Sequence, residues 1–380
     1  MGNQLGLVDS HGEIWKNLKK SSSGAFSLIR LKKALPLFNS CSREMVDFLH
    51  SQPSEDIEID VDDLIKRCAI NTLGTVGFGM NVNSFKDRNN EFKKYADNLF
   101  DVSRFLLASF VPALMRIFRI PIFRKDSSTY VDKVVQQNIR SREGESSDRK
   151  DILGALLKIH KENPKDFTLD LISKTCLQFM TDGYITIAES IICVIYMIAA
   201  RPKIEERLQE EIDRVFDNKD DPNGDLTDDD INELNFLDMV FKETMRLAGI
   251  GALPRQCTKE WKVPNSNLVL PVGTICMLPI GALQTDPKYW EDPEEFIPER
   301  FSEENKGNIK TGTYFPFGQG PRMCLGNNFA RFEAKVVLIY LFRNFSTVGG
   351  EKLPKDLELD ANAFLLPKGG LKLQFKKRVL

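Results

Sequence analysis

From Leu169 to Ala200 the chain runs without a helix breaker until Arg201-Pro202 stops it. That stretch predicts a helix far longer than average, a strut through the middle of a domain. Ile57 to Phe78 carries apolar residues at helical spacing and ends at Gly77-Phe78-Gly79. Tyr130 to Arg142, Lys203 to Phe216, Phe236 to Ala248 and Asn327 to Phe345 read as further helices. Between them the period changes: Ile250 to Thr258 and Leu268 to Pro279 alternate, are β-branched, and lie between Gly and Pro, which predicts short strands. The pattern is that of a mainly α fold with small β-sheets. Phe100 to Phe123 is richly apolar but holds Arg104, Arg116 and Arg119 and is broken by Pro112 and Pro121. Core packing and a surface loop dipping into a membrane interface both account for it.

At 380 residues and 42% hydrophobic, the chain can bury a large core. Basic and acidic residues nearly balance, 52 against 54, so no nucleic-acid footprint exists. Seven cysteines, at 41, 68, 176, 193, 257, 276 and 324, show no paired spacing, which argues against a disulfide framework and for a reducing compartment. His11, His50 and His160 fall in no metal-ligand spacing. The first residues have no signal-peptide core, and Gly6 breaks the myristoylation pattern. The longest uncharged apolar run, Ser190 to Ala200, is too short to cross a bilayer.

Chemistry concentrates in Thr313-Tyr-Phe-Pro-Phe-Gly-Gln-Gly-Pro-Arg-Met-Cys-Leu-Gly326. Gly318, Gly320 and Gly326 permit a tight turn and a close backbone approach to a flat ligand. Arg322 can hold a carboxylate through its fork of donors. Cys324 precedes the positive end of a helix dipole, which favours a thiolate. A lone cysteine is by default a small buried hydrophobe. Here the pattern Phe317-x-x-Gly320-x-Arg322-x-Cys324-x-Gly326 closely resembles the haem-binding signature of the cytochrome P450 family.

Other features agree with that resemblance in order. Met180-Thr-Asp-Gly-Tyr-Ile-Thr186, mid-strut, resembles the family's oxygen-binding groove, Ala-Gly-x-(Asp/Glu)-Thr: Gly183 and Thr186 match, Asp182 stands at the alanine position, and Ile185 replaces the acid. Reductive cleavage of O₂ consumes two protons, which the acid normally helps relay, so Asp182 or Glu189 would have to substitute through water. Trp15 and Lys19 resemble a Trp-x-x-x-Arg pair that contacts a haem propionate, with a lysine in place of the arginine. Glu243, Arg246 and Arg300 resemble a structural Glu-Arg-Arg triad that locks the cysteine loop. Arg255 aligns with a propionate-binding arginine, and Ile250, Ala252 and Leu253 would then edge a substrate pocket.

The resemblance implies a single cytochrome P450 domain over residues 1–380, with haem b between the long helix and the cysteine loop. Cys324 would be the iron ligand, while Pro316, Phe317, Gly318, Arg322 and Gly326 shape its bed. The implied activity inserts one atom of O₂ into a lipophilic small molecule. NADPH electrons would arrive through a flavoprotein reductase, with cytochrome b5 as a second donor, at a basic face of Lys16, Lys19, Lys20, Arg30, Lys32 and Lys33. The implied location is the cytosolic face of the endoplasmic reticulum, with peripheral membrane contact through 100–123. The family's N-terminal anchor, first helices and first two sheet strands have no counterpart here, so the strands around Arg255 are expected to keep an unpaired edge. Ile185 and that difference feed an alternative: a haem protein without monooxygenase turnover, either a peroxide rearrangement enzyme or an inactive remnant.

Overall fold

The computed structural model describes residues 7, 10–53, 56–99, 103, 104, 107, 115, 117, 118, 120, 121, 123–142, 151–165, 167–222, 224–249, 251–360 and 365–379. Most of 100–123 and the pocket candidate Ile250 lie outside these residues.

The fold is mainly helical with small antiparallel sheets. In the first half, α1 (Gly12–Ser23) and α2 (Leu28–His50) precede β1 (Asp56–Asp60) and α3 (Val61–Thr72). They are followed by α4 (Glu91–Asp97), α5 (Lys125–Ser141) and α6 (Ile152–Glu162). The long helix α7 (Leu169–Ala199) then leads to α8 (Pro202–Asp217), α9 (Asp228–Glu233) and α10 (Asn235–Leu247). Short strands β2 (Leu253–Gln256), β3 (Trp261–Lys262), β4 (Val269–Leu270) and β5 (Ile275–Leu278) precede α11 (Ile280–Gln284). The chain closes with α12 (Asn327–Asn344), β6 (Phe345–Val348) and β7 (Lys372–Lys377).

Helix α7 is the predicted strut. Thr168 caps its start by accepting the Leu171 N–H at 3.2 Å, and Ile191 through Ala199 are all buried. It is long and apolar enough to cross a membrane by composition alone, yet 72% of its most apolar window is buried inside the protein. Against this core α12 packs on α2, with the Phe38 ring 5.4 Å from Phe329 and 5.3 Å from Phe332. Such tilted and edge-on pairs match the electron-rich face of one ring to the edge of another.

The helix expected over Ile57 to Phe78 divides. Residues 56–60 form a strand instead, pairing Ile57 with Phe375 and Ile59 with Leu373. Asp60 then caps α3, its side chain accepting from Asp63 N at 3.1 Å, and the last turn, Leu73–Gly77, widens to a π-helix. Ile57 and Ile59 fit a two-residue period as well as a helical one, and the distant partner β7 decides.

The two expected strands over 250–279 appear as two ribbons. β2 pairs with β5, setting Leu253 opposite Leu278 and Arg255 opposite Cys276; β3 pairs with β4. Ile275, Met277 and Leu278 are each 43% exposed, so the β2–β5 ribbon has apolar residues open on both faces.

Candidate active site

The cysteine loop is built by backbone hydrogen bonds that its glycines make accessible. Gly318 N donates to Phe315 O at 2.8 Å, Met323 N to Gly320 O at 3.1 Å, and Cys324 N to Phe317 O at 2.9 Å. Gly318 and Gly320 hold φ of 74° and 76°, left-handed values that a side chain resists. A Cβ on Gly318 would also press on Leu253 Cδ1 at 3.4 Å, which brings one predicted pocket residue directly onto the loop. Leu253 and Ala252 are half-buried.

Of the seven cysteines, Cys41, Cys68, Cys176 and Cys193 are buried and Cys257 and Cys276 intermediate; Cys324 alone is exposed. Protein nonetheless crowds it on most sides, and that crowding pushes its thiol up. The N–H groups of Gly326 and Asn327 at the start of α12 and the Lys19 cation oppose the shift, while the Asp182 carboxylate adds to it. The field of Asp182 thus reaches the sulfur from α7. On α7 Asp182 is exposed, and Gly183 and Thr186 are partly so; the Thr186 hydroxyl donates to the Asp182 carbonyl one turn back. The helix stays α-helical through this stretch. Glu189, the other predicted proton source, is buried and accepts from Leu365 N at 2.8 Å.

Three cations surround the loop. Lys19 donates to the carbonyl of Pro321 and approaches that of Met323 at 3.5 Å, with its ammonium 5.5 Å from the Trp15 ring centre. Arg322 lies 4.0 Å over the same ring and donates to Ser10 O at 2.8 Å. Arg255 stands close enough to depress the basicity of Arg322, after burial, and donates to Pro254 O at 2.8 Å. Among the described residues none of the three forms an ion pair with a carboxylate. An exposed cysteine residue beside glycines in left-handed conformation, with three cations that pair with no carboxylate among the described residues, fits an iron porphyrin with two propionates.

The cytochrome P450 family model matches residues 1–375. The chain belongs to the cytochrome P450 family. It is 31% identical over 383 residues to cytochrome P450 3A41 of Mus musculus, covering 97% of this chain and 75% of that protein. It is 30% identical over 400 residues to cytochrome P450 6k1 of Blattella germanica, covering 98% and 75%. With probable cytochrome P450 9f2 of Drosophila melanogaster it shares 31% over 386 residues, covering 96% and 74%. Membership in the P450 family brings a haem cofactor held by a cysteine and the activity of a monooxygenase oxidoreductase.

In this P450 the Glu-Arg-Arg group is assembled as a buried network behind the loop. Arg246, with no exposed side-chain surface, reaches Glu243 at 2.8 and 2.9 Å through Nε and Nη2. It also donates to the carbonyls of Gln284, Pro293 and Glu295. Arg300 joins Glu243 at 3.3 Å, and Ile297 N donates to the same carboxylate at 2.9 Å. Gln284 escaped sequence reasoning. Fully buried, it donates to the carbonyls of Met245 and Arg246 and accepts from Phe315 N at 3.0 Å, joining the end of α10 to the cysteine loop. Its signal in the sequence was only an amide at the end of an apolar turn, which surface glutamines share. Phe317 contributes its carbonyl to Cys324, while its ring lies 5.8 Å from the Arg331 guanidinium. Pro316 is half-buried between the Phe315 and Phe317 contacts.

Proposed function

We propose that this P450 inserts one oxygen atom from O₂ into a lipophilic small molecule, with NADPH electrons delivered by a flavoprotein reductase and cytochrome b5 as a second donor. The observation that carries this reading is the exposed residue Cys324, its thiol met by the amide N–H groups of Gly326 and Asn327 and within the field of Asp182 on α7. Haem b, bound through Cys324, supplies the iron chemistry that activates O₂. Trp15, Lys19, Arg255 and Arg322 hold its propionate edge, and Pro316, Phe317, Gly318 and Gly326 form the bed beside the sulfur. Thr186 and Asp182 serve proton delivery: Thr186 Oγ1 carries a proton on the cleft wall, and the exposed Asp182 carboxylate recharges it from water. Asp182 thereby takes the part of the acid that Ile185 replaces. Ile185, Ala252 and Leu253 offer apolar surface, which supports a lipophilic substrate.

The reductase docks on the cysteine side, where Lys19 ties α1 to the loop and Lys20, Lys32 and Lys33 are exposed. The protein works at the cytosolic face of the endoplasmic reticulum; Ile117 and Phe118, 73% and 66% exposed, support a membrane contact within 100–123. The carbon-monoxide difference spectrum of the reduced protein, reconstituted with hemin, tests the thiolate. Native protein is expected to show the thiolate band and Cys324→Ala to lack it; an unchanged band in the variant overturns the reading. Product formation that requires NADPH, reductase and O₂ separates a working monooxygenase from the second reading, which Ile185 favours. A thiolate band without product establishes the second.

A further inference from the structure

A chain of polar contacts leads from the far side of the long helix to the protein surface. Tyr184 follows Asp182 by two residues, about 200° further round the helix, so it leaves α7 on the side opposite the cleft. Its side chain is 1% exposed, and its hydroxyl donates to Asp97 Oδ1 at the end of α4. The other oxygen of Asp97 accepts from Lys93 at 2.8 Å. Lys93 also reaches Asp63 Oδ1 at 3.1 Å, and Asp63 Oδ2 accepts from Arg67 Nε at 2.6 Å. Arg67 ends the chain on the carbonyls of Ser84 and Arg88. The charges alternate and cancel: Arg67 and Lys93 against Asp63 and Asp97. Both cations are largely buried, with side chains 13% and 11% exposed.

Three features give this arrangement a role beyond filling space. A phenylalanine at 184 would pack as well, so the hydroxyl is present for its bond to a carboxylate, a short and strong type. Tyr184 lies between Gly183 and Ile185 in the turn that spans Asp182 to Thr186. A restraint there therefore sets the rotation of α7, and with it the direction in which Asp182 and Thr186 face. At the other end of the bond, α4 is the element from which the chain enters the 100–123 segment.

We propose that Tyr184, through Asp97, is a positioning residue that ties the orientation of the Asp182–Thr186 turn to the position of α4. Displacing α4 costs the phenol its carboxylate, and rotating α7 costs Asp97 its phenol. The two elements therefore shift as one. Lys93, bonded to the other oxygen of Asp97 at 2.8 Å, keeps the carboxylate aimed at α7. The inference adds to the proposed monooxygenase reading, but its first measurement requires no turnover.

Tyr184→Phe, Asp97→Asn and the double variant should be prepared as full chains reconstituted with hemin, and amide hydrogen exchange followed over residues 92–99 and 180–190. Each single variant is expected to lose protection in both segments by about tenfold, the size expected for one hydrogen bond to a charged group. The double variant should exchange no faster than the more affected single one. Loss confined to 92–99, or additive losses in the double variant, overturns the coupling. As a spectroscopic readout, the release rate of 4-phenylimidazole from the iron should rise about tenfold in both single variants, while that of imidazole, which lacks the phenyl, stays within twofold. Equal acceleration of both probes, or of neither, also overturns it. Tyr184→Phe keeps the buried ring, so the folded protein remains available for both measurements. Absent turnover in every form would count against the monooxygenase reading while leaving this result intact.

Discussion

At the residue scale, the site depends on groups whose surroundings oppose their ordinary chemistry. Glu333 on α12 is fully buried, and burial pushes its carboxyl well above the usual range. Its Oε1 has no hydrogen-bond partner among the described residues, and Thr72, the side chain that opposes the shift, gives its own proton to Cys68 O at 3.0 Å. Cys41, pushed up to about 12 chiefly by burial, and Cys68 stand near it and bring no positive charge. The sign follows: between the ordinary carboxyl value and the raised one, the folded state keeps a proton that the unfolded chain gives up, so stability falls as pH rises. Glu333→Gln, which keeps a donor and cannot ionise, is expected to raise the urea midpoint at pH 8, with the gain shrinking as pH falls toward ~4.5. A gain independent of pH would contradict a protonated Glu333. On the cleft, Asp182→Asn and Thr186→Ala are each expected to cut product per NADPH by roughly tenfold to a hundredfold, with the electrons lost to peroxide. Thiolate ligation, by the carbon-monoxide spectrum, should be unchanged. Cys324, Gly183 and Thr186 stand out in the sequence because the short motifs around them resemble those of the family. The Lys19 contacts with Pro321 and Met323 were illegible, since they join residues some 300 positions apart.

At the element scale, the loop is held from behind. Four carbonyl or carboxylate partners converge on Arg246, and Glu243 in turn serves Arg246, Arg300 and the Ile297 amide. Removing the Glu243 charge leaves two guanidinium groups without their anion, one of them in a site with no exposed surface. Glu243→Gln is expected to cost on the order of 3–5 kcal/mol in denaturant unfolding. The exposed Lys16–Glu13 pair provides the contrast: Glu13→Gln should change stability by no more than about 1 kcal/mol. Equal effects would mean that the buried network does not hold the loop. Here the i,i+3 spacing of Glu243 and Arg246 showed a shared helix face in the sequence. It did not show burial, which comes from α11 and the 290–300 segment closing over them, nor Gln284, whose three partners lie on two other segments. The strand at 56–60 was missed for the same reason: its partner is β7, more than three hundred residues away.

At the scale of the whole molecule, that distant pairing makes the last strand a keystone for both halves. β7 is the middle strand of its sheet, with β1 on one side and β6 on the other. Phe375 faces Ile57 in one register and Thr347 in the other, and it and Leu373 are buried. Beyond the strand, Arg378 binds Asp213 at 2.6 Å and donates to the carbonyls of Phe342 and Arg343 at the end of α12. Burial of Leu373 and Phe375 alone contributes roughly 3–6 kcal/mol. Without β7 the paired groups of β1 and β6 also lose their partners, in a molecule whose whole margin is of the order of 5–15 kcal/mol. A chain stopped after Leu371 is therefore expected to lose cooperative unfolding and haem retention, although every residue of the cleft is present. A chain stopped after Arg378, which removes the fully exposed Val379 and the final residue, should match the full chain in both measurements. If the shorter chain still bound hemin and unfolded cooperatively, the cleft would be supported by the helices alone, and the sheet linking the first third of the chain to its end would be dispensable.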